Sequence, residues 1–221
     1  MHLPGTIQSA PDGAIGFDAN VPVPLAVAQK FAAQNYSFCL RYLSRSNTQG
    51  SDDLSAGEAA NILAAGLGLM AVQHPRKDGW IPSGAMSASD GGNAAGNAAA
   101  IGFPPGVNIW CDLEGLITHP PVQDVIDYCT AWFNAAGAAA TGYIPGLYVG
   151  ANCGLNGQQL YDLPFQHYWK SGSRVPSLPA RGYQMFQGAI ETVVNGTQID
   201  TDTTQTDSQG GQAQWLIVTG P

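Results

Sequence analysis

The residues best suited to chemistry lie in Val107-Asn108-Ile109-Trp110-Cys111-Asp112-Leu113-Glu114-Gly115, where an apolar, β-rich run ends in two carboxylates and a glycine. Side chains alternate along a strand, so Asp112 and Glu114 project from one face with Cα atoms roughly 6.6 Å apart. Ile109, Cys111 and Leu113 take the other face. Adjacent carboxylates repel, and ionising one raises the pKa of the other. A carboxyl group kept protonated in this way can serve as a general acid. The plain alternative is an acidic strand end that enters solvent.

The elements that would position these acids can be read along the chain. Residues 1–13, polar with two prolines, read as a lead-in. Residues 14–18 form a short strand ending in Asp18, and 22–35 a helix with Leu25, Ala28, Phe31 and Ala32 on one stripe. A strand over 37–44 contains Arg41. Ser55, with Glu58 three residues on, has the pattern of a capping box opening a helix that Gly66 ends. Residues 67–73 form a strand ending in Gln73. Residues 87–101 form a helix weakened by its glycines. After the central strand, 121–139 is the clearest helix, with Val122, Val125, Ile126, Cys129, Trp132 and Phe133 at helical spacing. Strands follow over 143–150 with Tyr148, 165–169 with Trp169, 182–187 with Gln187, and 196–202 with Asp200 and Asp202. A short helix over 156–163 interrupts them, and the apolar tail 214–218 packs as a last element.

Alternating strands and helices imply an α/β chain with a parallel sheet, either closed or doubly wound. The first strand ends Gly16-Phe17-Asp18-Ala19-Asn20, which lacks the glycine-rich phosphate loop of a doubly wound sheet. The strand count and short final units favour one domain over 14–221, a single irregular (β/α)8 TIM-type barrel. In such a barrel the strand C-terminal ends converge on one face. That gathers Asp18, Arg41, Gln73, Asp112, Glu114, Tyr148, Trp169, Gln187, Asp200 and Asp202, with Asp18 as the acid expected to pair with Arg41. Carboxylates beside aromatic rings suit a carbohydrate: rings stack on sugar faces, and acids bond hydroxyls and do the chemistry.

Composition narrows the field. Of 221 residues only 11% are charged, against about a quarter in an average chain, and the net charge is −8. A surface covered by small uncharged polar residues suits an extracellular or wall-associated protein. Without a Lys/Arg cluster the chain is not built to neutralise phosphates, so nucleic acid is not an expected partner. No apolar run approaches a membrane span, and residues 1–13 show no signal-peptide pattern. The protein is expected to act as a monomer. Cys39, Cys111, Cys129 and Cys153 fit no zinc spacing; Cys39, Cys111 and Cys129 read as buried free thiols, with Cys39 and Cys111 unbridged. The four histidines are scattered, so neither metal nor cofactor is expected. Asn35-Tyr36-Ser37 and Asn195-Gly196-Thr197 fit the N-glycosylation pattern, a short pattern that often occurs by chance.

Gly16-Phe17-Asp18, Asp112-Leu113-Glu114, Gly146-Leu147-Tyr148 and Ile199-Asp200-Thr201-Asp202 resemble, in order, the motifs of glycoside hydrolase family 25, the lysozyme-type muramidases. With Arg41-Tyr42-Leu43 and the Ala-rich segment before Asp112, the run over 14–204 is most similar to the glycoside-hydrolase-like domain once termed domain of unknown function 1906. That family 25 usually has Ser where this chain has Asn20, and Asn where it has Asp202. The resemblance implies a barrel that hydrolyses peptidoglycan or a related N-acetylated glycan. Glu114 takes the general acid position, Asp112 its partner, and Asp18 and Asp200 the outer carboxylates. Arg41, Gln73, Tyr148, Trp169, Gln187 and Asp202 are the expected substrate-binding residues. The charge at the anomeric carbon would be met by a carboxylate, by an internal acetamido group, or by activated water. Two alternatives stand beside this one: a glycan-binding barrel without activity, and a hydrolase whose acids hold a Mg²⁺ or Ca²⁺ ion.

Overall fold

The computed structural model describes residues 2–138, 140–188 and 190–218. Met1 of the expected lead-in, Ala139 at the expected end of the 121–139 helix, and 219–221 of the expected domain lie outside the described residues.

The chain opens with β1 (Thr6–Ser9) and β2 (Ile15–Ala19), then α1 (Leu25–Ala33), β3 (Phe38–Leu43), α2 (Ala56–Ala64), β4 (Gly68–Gln73), α3 (Gly84–Ile101) and β5 (Asn108–Leu113). It continues through α4 (Val122–Ala136), β6 (Ile144–Val149), α5 (Gly157–Tyr161), β7 (His167–Lys170), β8 (Met185–Gln187), β9 (Thr192–Val194), β10 (Thr197–Thr204) and β11 (Gln214–Ile217). Eight strands close into a ring in the order β4-β3-β2-β10-β8-β7-β6-β5, with β5 pairing back onto β4. The expected (β/α) barrel is therefore present.

Two features depart from the expected parallel pattern. β10 runs antiparallel to both neighbours, β2 and β8. The cause is a hairpin: β9 pairs antiparallel with β10 across Asn195 (φ 54) and Gly196 (φ 81). An Asn-Gly pair with both residues at positive φ is the preferred two-residue hairpin turn. The second departure is β1. The expected lead-in includes this strand, which pairs with β11, and β11 meets β4 at Leu216 and Leu69. Trp215 of β11 packs 5.4 Å from Phe38 between ring centroids, against the start of β4, where a Cβ on Gly68 would strike its ring. The barrel is thus covered at the end where its parallel strands begin, and the expected site residues lie toward the other end.

Helix ends and contacts follow local rules. Ser55 Oγ accepts from the Glu58 N–H at 3.1 Å, but the Glu58 carboxylate turns away to Arg41 and the Val23 N–H, so the expected box is half made. The glycines of α3 permit close packing on α4: a Cβ on Gly91 would collide with backbone of Trp132 and touch Ala135. The described helix is therefore longer than its composition suggested. All four cysteines are buried and unbridged. Among the described residues no helix is long and apolar enough to cross a membrane.

Candidate active site

Asp18 lies near the end of β2, directly across the antiparallel pairing from Asp200 of β10. Gln187, closing β8, donates its Nε2 to Asp18 Oδ2 and to Asp200 Oδ2, each at 3.0 Å. Its Oε1 accepts from the Tyr148 hydroxyl at 2.9 Å. The Tyr42 hydroxyl donates to Asp18 Oδ1 at 3.0 Å, and the Glu191 N–H to Asp200 Oδ1 at 2.6 Å. Two residues along β10, on the same face, Asp202 is buried more deeply. Its Oδ1 accepts from Trp169 Nε1 at 2.9 Å, while its Oδ2 is buried without a donor.

Asp112 closes the acid row on β5. It is buried, and its Oδ1 meets no donor. Glu114 follows just past the strand end and is half-buried. Its side chain occupies the space that a Cβ on Gly150 would need, so the glycine after β6 makes room for the carboxyl group. A strap holds the Glu114 backbone: Trp80 Nε1 donates to the Glu114 carbonyl at 2.7 Å, and the Gly79 N–H to the Gly115 carbonyl at 2.7 Å. Gly115 sits at φ +66, and Asp78 fills the space beside its Cα. The strap is anchored by the Arg76–Asp90 ion pair at 2.6 Å and by Trp80 packed edge-on against Tyr128.

Burial and mutual repulsion push every acid of this group up. Asp18 reaches about 7, chiefly through burial and then the Asp200 charge, against the pull of Gln187 and Tyr42. Asp112 is held well above the usual carboxylate range by burial, then by Glu114 and Asp18. Burial and Asp18 do the same to Asp202. Glu114 is raised by burial, then by Asp78 and Asp200. The repulsion between Asp112 and Glu114 falls mainly on Asp112, the more deeply buried of the two. Asp200 is raised by burial, but the Glu191 N–H favours its ionised form. It is the least enclosed of the three aspartates around Gln187, and its charge acts on Asp18, Asp202 and Glu114.

Two cavities open here. One of about 400 Å³ is lined by Glu114, Tyr148, Ser171, Gln187, Glu191 and Asp200. The other, of about 240 Å³, is lined by Asp18, Tyr42, Gln198, Glu191 and Asp200 among others. Glu191 and Asp200 form their common wall.

Of the expected site residues, Asp18, Asp112, Glu114, Tyr148, Gln187 and Asp200 come together. Asp202 and Trp169 lie beneath them, both buried, with Trp169 packed 4.5 Å from Tyr148 and 6.0 Å from Trp110. Arg41 and Gln73 are elsewhere. Arg41 is fully buried outside the ring, where Nε donates to Glu58 Oε1 at 2.6 Å and Nη2 to the Asp52 carbonyl at 2.7 Å; its expected partner Asp18 is not in contact. Gln73 donates to the Asp90 carbonyl at 2.7 Å and accepts from Trp132 Nε1 at 2.8 Å, so it ties β4 to the helices. Tyr42, Asp78, Ser171 and Glu191 were not expected in the site. Tyr42 follows Arg41 and so takes the opposite face of β3. Among the described residues no group of three or more His, Cys, Asp or Glu side chains is placed to hold a metal ion.

Comparison with known proteins agrees with this fold. A family profile described as "Rv2525c-like, glycoside hydrolase-like domain" matches residues 29–212. No curated protein matches the chain in sequence. Among solved structures, the Mycobacterium tuberculosis Tat-secreted protein Rv2525c, in complex with L-tartrate, superposes with a TM-score of 0.66 at 17% identity, covering 90% of this chain and 98% of its own. The bacterial lysozyme from Streptomyces coelicolor gives 0.60 at 15% identity, covering 88% and 93%. The muramidase from Trichobolus zukalii gives 0.60 at 14% identity, covering 87% and 93%. At these identities the likeness is one of fold.

Proposed function

The chain belongs to the Rv2525c-like, glycoside hydrolase-like domain family, and from that premise we propose that it is a glycoside hydrolase acting on peptidoglycan or a related N-acetylated glycan, outside the cell or in its wall. The observation that carries the reading is Glu114: a half-buried carboxyl group, raised by burial, Asp78 and Asp200, on the wall of a cavity lined also by Asp200, Gln187 and Tyr148. Such a group keeps its proton into the pH range where a glycosidic oxygen needs one.

In this reading Glu114 protonates the leaving oxygen, and the glycosidic bond breaks as positive charge builds at the anomeric carbon. Asp200 stabilises that charge. It accepts from Gln187 and the Glu191 N–H, and it is less enclosed than Asp18, so it more readily carries a negative charge. Asp18 takes part of the same charge through the shared Gln187 amide. Asp112 and Asp202, buried and pushed up, serve as neutral acids that fix the shape of the floor. Tyr148 orients Gln187. Arg41 and Gln73, placed outside the ring, have no part in the chemistry.

The test is the release of reducing ends from purified peptidoglycan and from chito-oligosaccharides. Release from either supports hydrolysis. Binding of both without release, by parent and Glu114→Gln alike, would instead make the protein a glycan-binding barrel.

A further inference from the structure

A cavity of about 550 Å³ lies apart from the two acidic ones. It lies between the loop after β5 and the loop after β6, with Pro120, Val122, Leu155 and Pro176 on its apolar walls and Arg174 on its rim. No Asp or Glu lines it among the described residues, whereas each acidic cavity has three. Arg174 is exposed and has no hydrogen bond or ion pair among the described residues. By contrast Arg41, Arg76 and Arg181 are each paired with an acid. In a chain of net charge −8, this is a local site of the opposite sign.

The cavity is joined to the acid row. Gly150 lines it, and the Glu114 carboxyl group lies against Gly150 where a Cβ would be. Chain neighbours alternate between the two cavities: Gly150 and Asn152 face one and Ala151 the other, as do Arg174 and Ser173. A sugar whose scissile oxygen reaches Glu114 would therefore have the next portion of the substrate over Gly150, in the Arg174 cavity.

We infer that this cavity is a subsite for a sugar bearing an acidic, partly apolar substituent, with its carboxylate held by Arg174 and its aliphatic part against Pro120, Val122, Leu155 and Pro176. The guanidinium fork matches a carboxylate in two parallel hydrogen bonds. The apolar walls would accept an alkyl ether or a short acyl group and offer little to a bare hydroxyl. His119 and Asn152 supply further hydrogen-bonding groups on the same lining. This inference rests on the glycoside hydrolase reading, since it takes Glu114 as the point where the sugar is anchored.

Two disaccharides of equal length separate the possibilities. Chitobiose carries no carboxylate; N-acetylglucosaminyl-N-acetylmuramic acid carries one on a lactyl ether. Each is titrated by NMR into the parent, Arg174→Gln and Arg174→Lys. The parent should bind the acidic disaccharide roughly tenfold more tightly, as one charge-assisted pair warrants. Arg174→Gln should remove that preference without changing chitobiose binding, Arg174→Lys should keep part of it, and added salt should shrink it. Equal affinity of the parent for both sugars, or a preference that survives Arg174→Gln, overturns the subsite. If chito-oligosaccharides are still cleaved in that case, the hydrolase reading stands without it. Failure to bind either disaccharide, together with failure to cleave any glycan, removes both.

Discussion

Asp18 and Asp200 face one another across the single antiparallel seam on that side of the barrel, β2 against β10, and one amide nitrogen, Gln187 Nε2, lies 3.0 Å from an oxygen of each. Two buried carboxylates this close cannot both ionise freely, so the proton of one depends on the charge of the other. Each has one further donor, Tyr42 for Asp18 and the Glu191 N–H for Asp200, but Asp18 is the more deeply buried and is the one pushed up to about 7. The electrostatics of the cup thus centre on Asp200.

This arrangement makes stability depend on pH. An unfolded Asp ionises near pH 4, while folded Asp18 holds its proton to about 7. In that window the folded chain keeps a proton that the unfolded chain has lost. The stabilising contribution is therefore complete below the window and lost as pH rises through it. Asp112, Asp202, Glu114 and Asp200 are shifted in the same direction. His167 opposes them: burial, then Arg181, lowers it to about 4, so its contribution is lost as pH falls through that value. Five acids outweigh one histidine, and the thermal midpoint should rise as the buffer goes from pH 8 to pH 5. Asp18→Asn should flatten that rise. A midpoint that falls steadily over the same range would contradict the buried acid cluster.

Arg41 is expected to matter for folding alone. It is fully buried against Glu58, Ala19 and Asp52. Removing one partner of a buried ion pair leaves the other charge uncompensated, at about 3–5 kcal/mol. Arg41→Met should lose stability on that order in denaturant unfolding, and Arg41→Met with Glu58→Leu should recover much of it. Any enzyme that remains folded should keep its pH–rate profile. A profile displaced by Arg41→Met would return Arg41 to the site.

How far the site could be read from the chain depended on which faces of a strand are buried. The Asp112–Glu114 pair was legible because both residues end an apolar run, and Asp18 and Asp200 because each follows its own strand motif. On β3, every residue but Tyr42 is fully buried, so no polar alternation marks which face looks inward. The charge of Arg41 points to the site by residue type alone, whereas it is Tyr42, on the opposite face, that bonds Asp18. Gln73 misled for the same reason, since β4 is buried throughout. The reversal of β10 had a visible signal in Asn195-Gly196 between two β-rich segments, a hairpin signature that also fits a glycosylation pattern. β1 left no trace, because its four largely exposed residues join the sheet mainly through backbone bonds, with Ser9 and Gln214 adding a side-chain contact. Asp78 and Glu191 lie in loops, and only the closed fold brings them to the cup.

Asp78 gives a way to move Glu114 without touching it. After burial, it is the neighbouring charge that raises Glu114 most. Asp78→Asn should lower the Glu114 pKa, and so shift the alkaline limb of the pH–rate bell to lower pH while leaving the acid limb in place. The measurement is kcat/KM against pH for parent and variant. An alkaline limb unmoved by Asp78→Asn would mean that another group supplies the proton.

The central claim is that Glu114 gives up a proton to the leaving oxygen. Glu114→Gln preserves shape and hydrogen bonding but has no such proton. Reducing-end release from peptidoglycan or a chito-oligosaccharide, measured at the acidic optimum of the parent, should fall by about 10²–10⁴-fold in the variant, while the affinity for oligosaccharide is retained. A Glu114→Gln protein that cleaves glycan as fast as the parent would contradict the account.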